Sequence, residues 1–204
     1  MIMIVMQIVF FYDSNYFHSN IQMNVDWITH AKAVKYYRLA RFMANTFSKD
    51  ESTKVAALFI APLTHEILTL GYNGMPRGID ETRLERLERP LKYEYFEHAE
   101  RNAIFNAART GTSLKNSICI VTLFPCSDCA RGIIQSGSKM VISLDPLKVN
   151  DEQTIERWKD KWSTSKTMLE EAGVVIYFLD KTDVLLSLGK DIELIQQVFD
   201  GLVE

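Results

Sequence analysis

A chain of 204 residues is long enough for one sizeable core and short of two ordinary domains. With 47% hydrophobic and 24% charged residues, it reads as a soluble globular protein rather than a disordered or fibrous one. Its 23 basic and 26 acidic side chains leave a formal charge of -3, which excludes a global positive field for polynucleotides or anionic membranes but not a local basic pocket.

Met1 to Tyr12 is an apolar run with no preceding basic residue, and a membrane span needs about 20 such residues. Residues 1–22 are therefore set apart as an N-terminal extension, either an appended strand or an upstream translation artefact, and 23–204 form one domain. From Asp26 as N-cap, Ile28, Ala31, Val34, Leu39, Phe42 and Met43 predict an amphipathic helix. Lys54 to Ala61 and His65 to Leu70 predict a hairpin around Pro62 to Thr64, followed by the loop GYNGMP at 71–76. Arg77 to Tyr95 is charged, and Arg83 to Arg89 within it alternates sign as a solvated helix or lid would.

Glu97 to Arg109, stopped by Gly111, predicts a short helix packed closely on a sheet. A strand at Ile118 to Leu123, a helix at Ser127 to Gln135, a strand at Met140 to Leu144, a long helix within Asp151 to Ala172 and a strand at Val174 to Leu179 follow. That alternation implies an α/β fold with parallel pairs. Asp183 to Val203 reads as one or two amphipathic helices.

The three cysteines include a C-x-x-C pair, which outside a disulfide framework points to metal or redox chemistry in a reducing, cytoplasmic setting. His98-Ala99-Glu100 opens one helix and Pro125-Cys126-Ser127-Asp128-Cys129 opens the next, with a strand between them. Either half alone is weak, but together they match the H-x-E then P-C-x-x-C signature of zinc nucleobase deaminases. Cys126 and Cys129 share a helical face, and a helix N-terminus favours thiolate. With His98 they make three protein ligands for one zinc ion per chain, leaving the fourth position to water. Glu100 then stands beside that water as the proton shuttle of hydrolytic deamination. The competing expectation is a structural zinc knot closed by Cys119, or a buried redox pair.

From about Phe47 to Val175 the chain resembles the deoxycytidylate deaminases of the cytidine deaminase superfamily. The resemblance is carried by SKDESTKV at 48–55, GYNGMP at 71–76, HAERNAIFNAAR at 98–109 and PCSDCARGIIQSG at 125–137. It implies a three-layer α/β/α sandwich around a mixed five-stranded sheet, and dCMP converted to dUMP with release of ammonia. It also implies that Asn73 bonds the sugar and that the backbone at Ala99 and Phe124 binds the cytosine edge. Ser48, Lys49, Ser52 and Lys54 are candidates for the 5′-phosphate, and Tyr93, Tyr95 and Phe96 either wall the base or pack in the core. Family members commonly form homo-oligomers, hexamers or dimers, with dCTP and dTTP as effectors. Ala56 departs from the usual glycine, Ser143 to Pro146 lacks an expected tyrosine-bearing pattern, with Asp145 there either contacting the substrate or starting a turn, and the stretch around Trp158 and Trp162 resembles a bacterial branch whose substrate could be a modified cytosine nucleotide. The alternatives are a tRNA adenosine deaminase, opposed by the acidic balance and the GYNGMP loop, and a non-catalytic nucleotide-binding module, opposed by Glu100. No polynucleotide and no membrane partner is expected.

Overall fold

The computed structural model describes residues 27–187. The extension at 1–22 and the greater part of Asp183 to Val203, where helices were expected, lie outside the described residues. So does Asp26; helix α1 (His30–Phe47) is capped instead by Thr29, whose hydroxyl accepts the Lys32 N–H at 3.3 Å. Ala33, Val34, Tyr37, Ala40 and Ala44 line its buried stripe.

Strands β1 (Ala56–Ile60) and β2 (Ile67–Tyr72) form the expected antiparallel hairpin, with β2 running two residues further along the chain than the sequence pattern suggested. The physical reason is local: Leu63 and His65 adopt φ values of 69° and 66°, which belong to the turn and not to extended backbone. The remaining strands are β3 (Ile118–Val121), β4 (Met140–Leu144) and β5 (Val175–Leu179). The sheet order is β2-β1-β3-β4-β5, antiparallel from β2 to β3 and parallel from β3 to β5. This is the mixed five-stranded sheet that the resemblance implied.

Every residue of β1 and β3 is buried because helices cover both faces of the sheet. Leu58, Ile60, Ile118, Ile120 and Ile142 pack against α1. Ala57, Phe59, Cys119, Val121 and Val141 point the other way, towards α3 (Ala99–Thr110), α4 (Ser127–Gln135) and α6 (Glu152–Glu171). Alternate side chains of a strand face opposite sides, so two apolar layers need two sets of helices.

Helix α3 lies so close to β2 that a Cβ on Gly71 would stand 2.3 Å from the Ala103 nitrogen and 2.4 Å from the Ala99 oxygen. The small residues Ala99, Ala103 and Ala107 permit that approach. Gly111, at φ 71°, ends the helix in the left-handed conformation expected of a glycine cap. The charged segment after GYNGMP holds no long helix, only a 3-10 turn at Leu84–Arg86 and the one-turn α2 (Lys92–Tyr95). Alternating charges supply no apolar stripe, and Pro90 interrupts the ladder.

Asp145 caps the short α5 (Pro146–Val149) by accepting from Leu147 N at 3.0 Å. It therefore starts a turn. Asp151 caps α6 through Thr154 N at 2.9 Å. Residues 181–187 are helical. Among the described residues, no helix is long and apolar enough to cross a membrane.

Candidate active site

The site is built where two helices begin at the sheet edge of one cavity. His98 is the N-cap of α3 and Cys126 the N-cap of α4, and neither uses its side chain to cap its helix. That leaves both free to turn towards each other. His98 Nδ1 lies 3.5 Å from Cys126 Sγ and 3.4 Å from Cys129 Sγ, the latter carried one helical turn into α4.

These three residues are, among the described residues, the one group of three or more histidine, cysteine and carboxylate side chains close enough to share a metal ion, with ligand atoms all within 4.8 Å of one another. Tetrahedral zinc with nitrogen at about 2.0 Å and sulfur at about 2.3 Å holds those atoms about 3.5 Å apart, so the donor set and its spacing fit zinc. Cys119 is not in the group. It sits fully buried in β3 against the apolar layer, where burial and the nearby Glu100 push its thiol well above its ordinary 9.0. This removes the support for a four-ligand structural knot.

The protons at the cluster are divided unequally. The hydrogen bond from Cys129 draws the Cys126 thiol well below 9.0, against burial and with help from His98. Cys129, which keeps its proton for that bond and is buried, is pushed well above it. The bond to Cys126 raises His98 above its ordinary 6.5, with burial opposing. A cation placed here would displace the shared protons, as thiolate ligation requires. Glu100, in the first turn of α3 and only 4% exposed, has its carboxyl raised by burial, which the positive field of His98 offsets only in part.

The cluster opens into a cavity of about 1120 Å³. Arg38, Arg41, Lys54, Arg89, Arg157 and Lys181 line it. Of the acidic lining groups, Asp50 is paired with Lys92 and Glu97 with Arg101. An acidic chain thus folds a cationic pocket, the arrangement suited to a small anionic ligand.

The structure distributes the expected substrate residues unevenly. Ala99, Phe124, Asn73, Ser52 and Lys54 line the cavity, as do Tyr93 and Phe96. Lys49 does not; it is exposed and pairs with Glu81. Tyr95 instead stacks beneath Arg86, 4.7 Å from its guanidinium. Ser48 is buried and donates to Asn73 Oδ1 at 2.7 Å. Asn73 also accepts from Val55 N at 2.9 Å and donates to Thr53 O at 2.7 Å and Asp50 Oδ2 at 3.4 Å. Its amide is therefore engaged at all four positions, and a sugar contact would have to replace the long bond to Asp50.

Sequence reasoning missed the wall contributed by α6. Trp158 and Trp162 stack with centroids 6.4 Å apart, and Trp162 Nε1 donates to the Phe124 carbonyl at 3.1 Å. It also missed Arg38 and Arg41 on α1, and Lys92. The apolar stripe of each helix shows that one face is covered, but not by what. His30 bonds the Tyr177 hydroxyl at 2.7 Å and His65 the Trp27 carbonyl at 2.6 Å, so both serve packing; His18 lies outside the described residues.

Residues 30–144 match the family described as the cytidine and deoxycytidylate deaminase zinc-binding region. The chain is 34% identical over 147 residues to an uncharacterized deaminase in the luxG 3′ region of Aliivibrio fischeri, covering 72% of this chain and 92% of that one. It is 36% identical over 129 residues to the human deoxycytidylate deaminase, covering 60% of this chain and 71% of the relative. A solved dCMP deaminase from the cyanophage S-TIM5, in complex with dCMP and dUMP, superposes with a TM-score of 0.57 at 25% identity, covering 74% of this chain and 98% of that one. A histidine and two cysteines at two helix starts, the family match over residues 30–144 and these likenesses place the chain in the cytidine and deoxycytidylate deaminase family.

Proposed function

We propose that this protein hydrolyses dCMP with water to dUMP and ammonia. The observation that carries the reading is the convergence of His98, Cys126 and Cys129 beside the buried carboxyl of Glu100 in one cation-lined cavity. His98, Cys126 and Cys129 would hold the zinc, and a single such cluster among the described residues supports one ion per chain. The chemistry zinc supplies when bound there is Lewis acidity, which makes water a nucleophile near neutral pH.

Glu100 handles the protons. The Glu100 carboxylate, made more basic by burial, can take one proton from the attacking water and deliver it to the ring nitrogen, then carry the second water proton to the amine, which departs as ammonia as the C–N bond breaks and the carbonyl forms. Phe124 and Ala99 offer backbone groups to the pyrimidine edge, and Tyr93 and Phe96 offer aromatic walls. The phosphate belongs with the lining cations, among which Lys54, Arg41 and Arg157 replace Lys49 as candidates; Ser52 lines the same cavity.

The relatives named deoxycytidylate deaminase, and the phage enzyme solved with dCMP and dUMP, support this substrate. Regulation by dCTP and dTTP and a homo-oligomeric assembly belong to the same reading and rest on the family resemblance, and a cytoplasmic setting rests on the cysteine usage. The decisive experiment measures ammonia release from dCMP, CMP, dCTP, deoxycytidine and an adenosine-containing tRNA loop, each with and without dCTP. Fastest turnover of dCMP is expected. Turnover of the tRNA loop alone would replace the reading with a polynucleotide deaminase.

A further inference from the structure

We propose that Trp162, from the long helix α6, is a positioning residue that aims the carbonyl of Phe124 at the exocyclic amine of the substrate. The inference rests on the reading that the cavity takes an amino-pyrimidine nucleotide.

Phe124 lies midway along the connection from β3 to α4, two residues before Cys126, and both line the same cavity as Glu100. Any group bound against the metal cluster therefore passes close to the backbone at Phe124. That carbonyl accepts a hydrogen bond from Trp162 Nε1 at 3.1 Å, and both residues are buried, at 3% and 4% exposure. A carbonyl oxygen has two acceptor positions, and the indole N–H fills one of them. The other remains as an acceptor whose direction the tryptophan sets.

The indole is itself held firmly. Trp158 stacks on it from the preceding turn of α6, Lys161 lies 5.0 Å over the Trp158 ring, and the Phe124 ring packs on Phe178 at 5.3 Å. Trp162 has no other hydrogen-bonding function, since indole is a donor only. A buried Trp N–H pairs with some acceptor in nearly every protein; here the acceptor is the carbonyl of a cavity-lining residue two positions before Cys126.

The chemistry of the reaction makes this orientation consequential. Before hydrolysis the pyrimidine carries an amine at the reacting carbon, which donates; afterwards it carries an oxygen, which accepts. An acceptor fixed in place pairs with the substrate amine and repels the product oxygen. Trp162 thereby contributes to substrate binding, to holding the amine as it departs, and to product release through the Phe124 carbonyl.

The test uses the Glu100→Gln protein loaded with zinc, so that dCMP is bound but not consumed, and reads Kd for dCMP and dUMP by calorimetry. Introducing Trp162→Phe should weaken dCMP about fivefold, the worth of one neutral hydrogen bond, and leave dUMP within about twofold. Because Phe also leaves a gap in the core, the second variant places 3-benzothienylalanine at position 162, which keeps the bicyclic ring and lacks the N–H; the same loss of discrimination is expected. Equal weakening of both nucleotides, or no change in either, overturns the inference and leaves Trp162 a packing residue. If the Glu100→Gln protein with Trp162 intact binds neither nucleotide, the dCMP reading falls, and this inference with it.

Discussion

Lys92 Nζ stands 2.8 Å from Asp50 Oδ2, and both side chains are buried. The pair joins two segments 42 residues apart in sequence: the one-turn α2 of the charged insertion after GYNGMP and the polar turn before β1. Asp50 is the hub, since its Oδ1 also accepts from Ser52 N, Ser52 Oγ and Thr53 N, while Lys92 donates to Ser52 Oγ at 2.7 Å. An insertion with no apolar stripe of its own is thus fastened to the cavity wall by charge.

Lys92→Met leaves Asp50 buried and uncompensated, which costs about 3–5 kcal/mol. Urea denaturation should show that loss, and the double variant Asp50→Asn with Lys92→Met should recover a large part of it. If the single variant matches the wild type, the insertion is held by other contacts.

The same pair has a pH signature. Burial pushes the Asp50 carboxyl up, but the bonds from Lys92 and Ser52 outweigh it and hold it below its ordinary 3.8. A carboxyl depressed in the folded state contributes stability that is present above its unfolded value and lost as pH falls through the folded one. The stability gap between wild type and Asp50→Asn should therefore be level from about pH 5 to 7 and close below about pH 4. Equilibrium unfolding at stepped pH reads this directly; a gap that persists unchanged to pH 2 counts against it.

Zinc content separates the thiols. Cys119→Ala should keep one zinc per chain, because that side chain lies in the apolar layer outside the metal group, whereas Cys126→Ser and Cys129→Ser should lose it. Metal analysis after gel filtration against a mild chelator is the measurement. Loss of zinc from Cys119→Ala would return the structural-knot reading.

Glu100→Gln should retain zinc and lose activity by about 10²–10⁴-fold, the range for removing a general acid–base group. The comparison of metal content with ammonia release makes the point, and comparable activity in the variant would remove Glu100 from the proton path.

Gly71→Ala puts a methyl 2.3 Å from the Ala103 nitrogen, backbone that cannot step aside. Forcing α3 away from β2 should cost at least about 1–3 kcal/mol. It should also lower zinc affinity, because His98 and Glu100 ride on the start of that helix. Thermal unfolding with and without added zinc tests both parts.

Much of this site could be read from the chain because its geometry is local. Three residues of spacing put Cys129 one turn beyond Cys126, and the helices begin where the H-x-E and P-C-x-x-C patterns said they would. The α4 and β4 boundaries coincide with the sequence pattern for the same reason: periodicity and flanking turn residues act within a few positions.

Which distant groups would meet was settled only by folding. Nothing near Asn73 announces that Ser48, Asp50, Thr53 and Val55 would occupy its amide, nor that Lys49 would turn outward to Glu81. Trp162 reads in sequence as one more apolar position on a helix, yet it reaches back 38 residues to the Phe124 carbonyl. The sequence by itself determined which residues could bind a metal, because ligand chemistry and helical spacing are properties of neighbours. The tertiary structure decided which polar groups remain available to a substrate, because a buried donor or acceptor pairs with whatever the packing brings within about 3 Å.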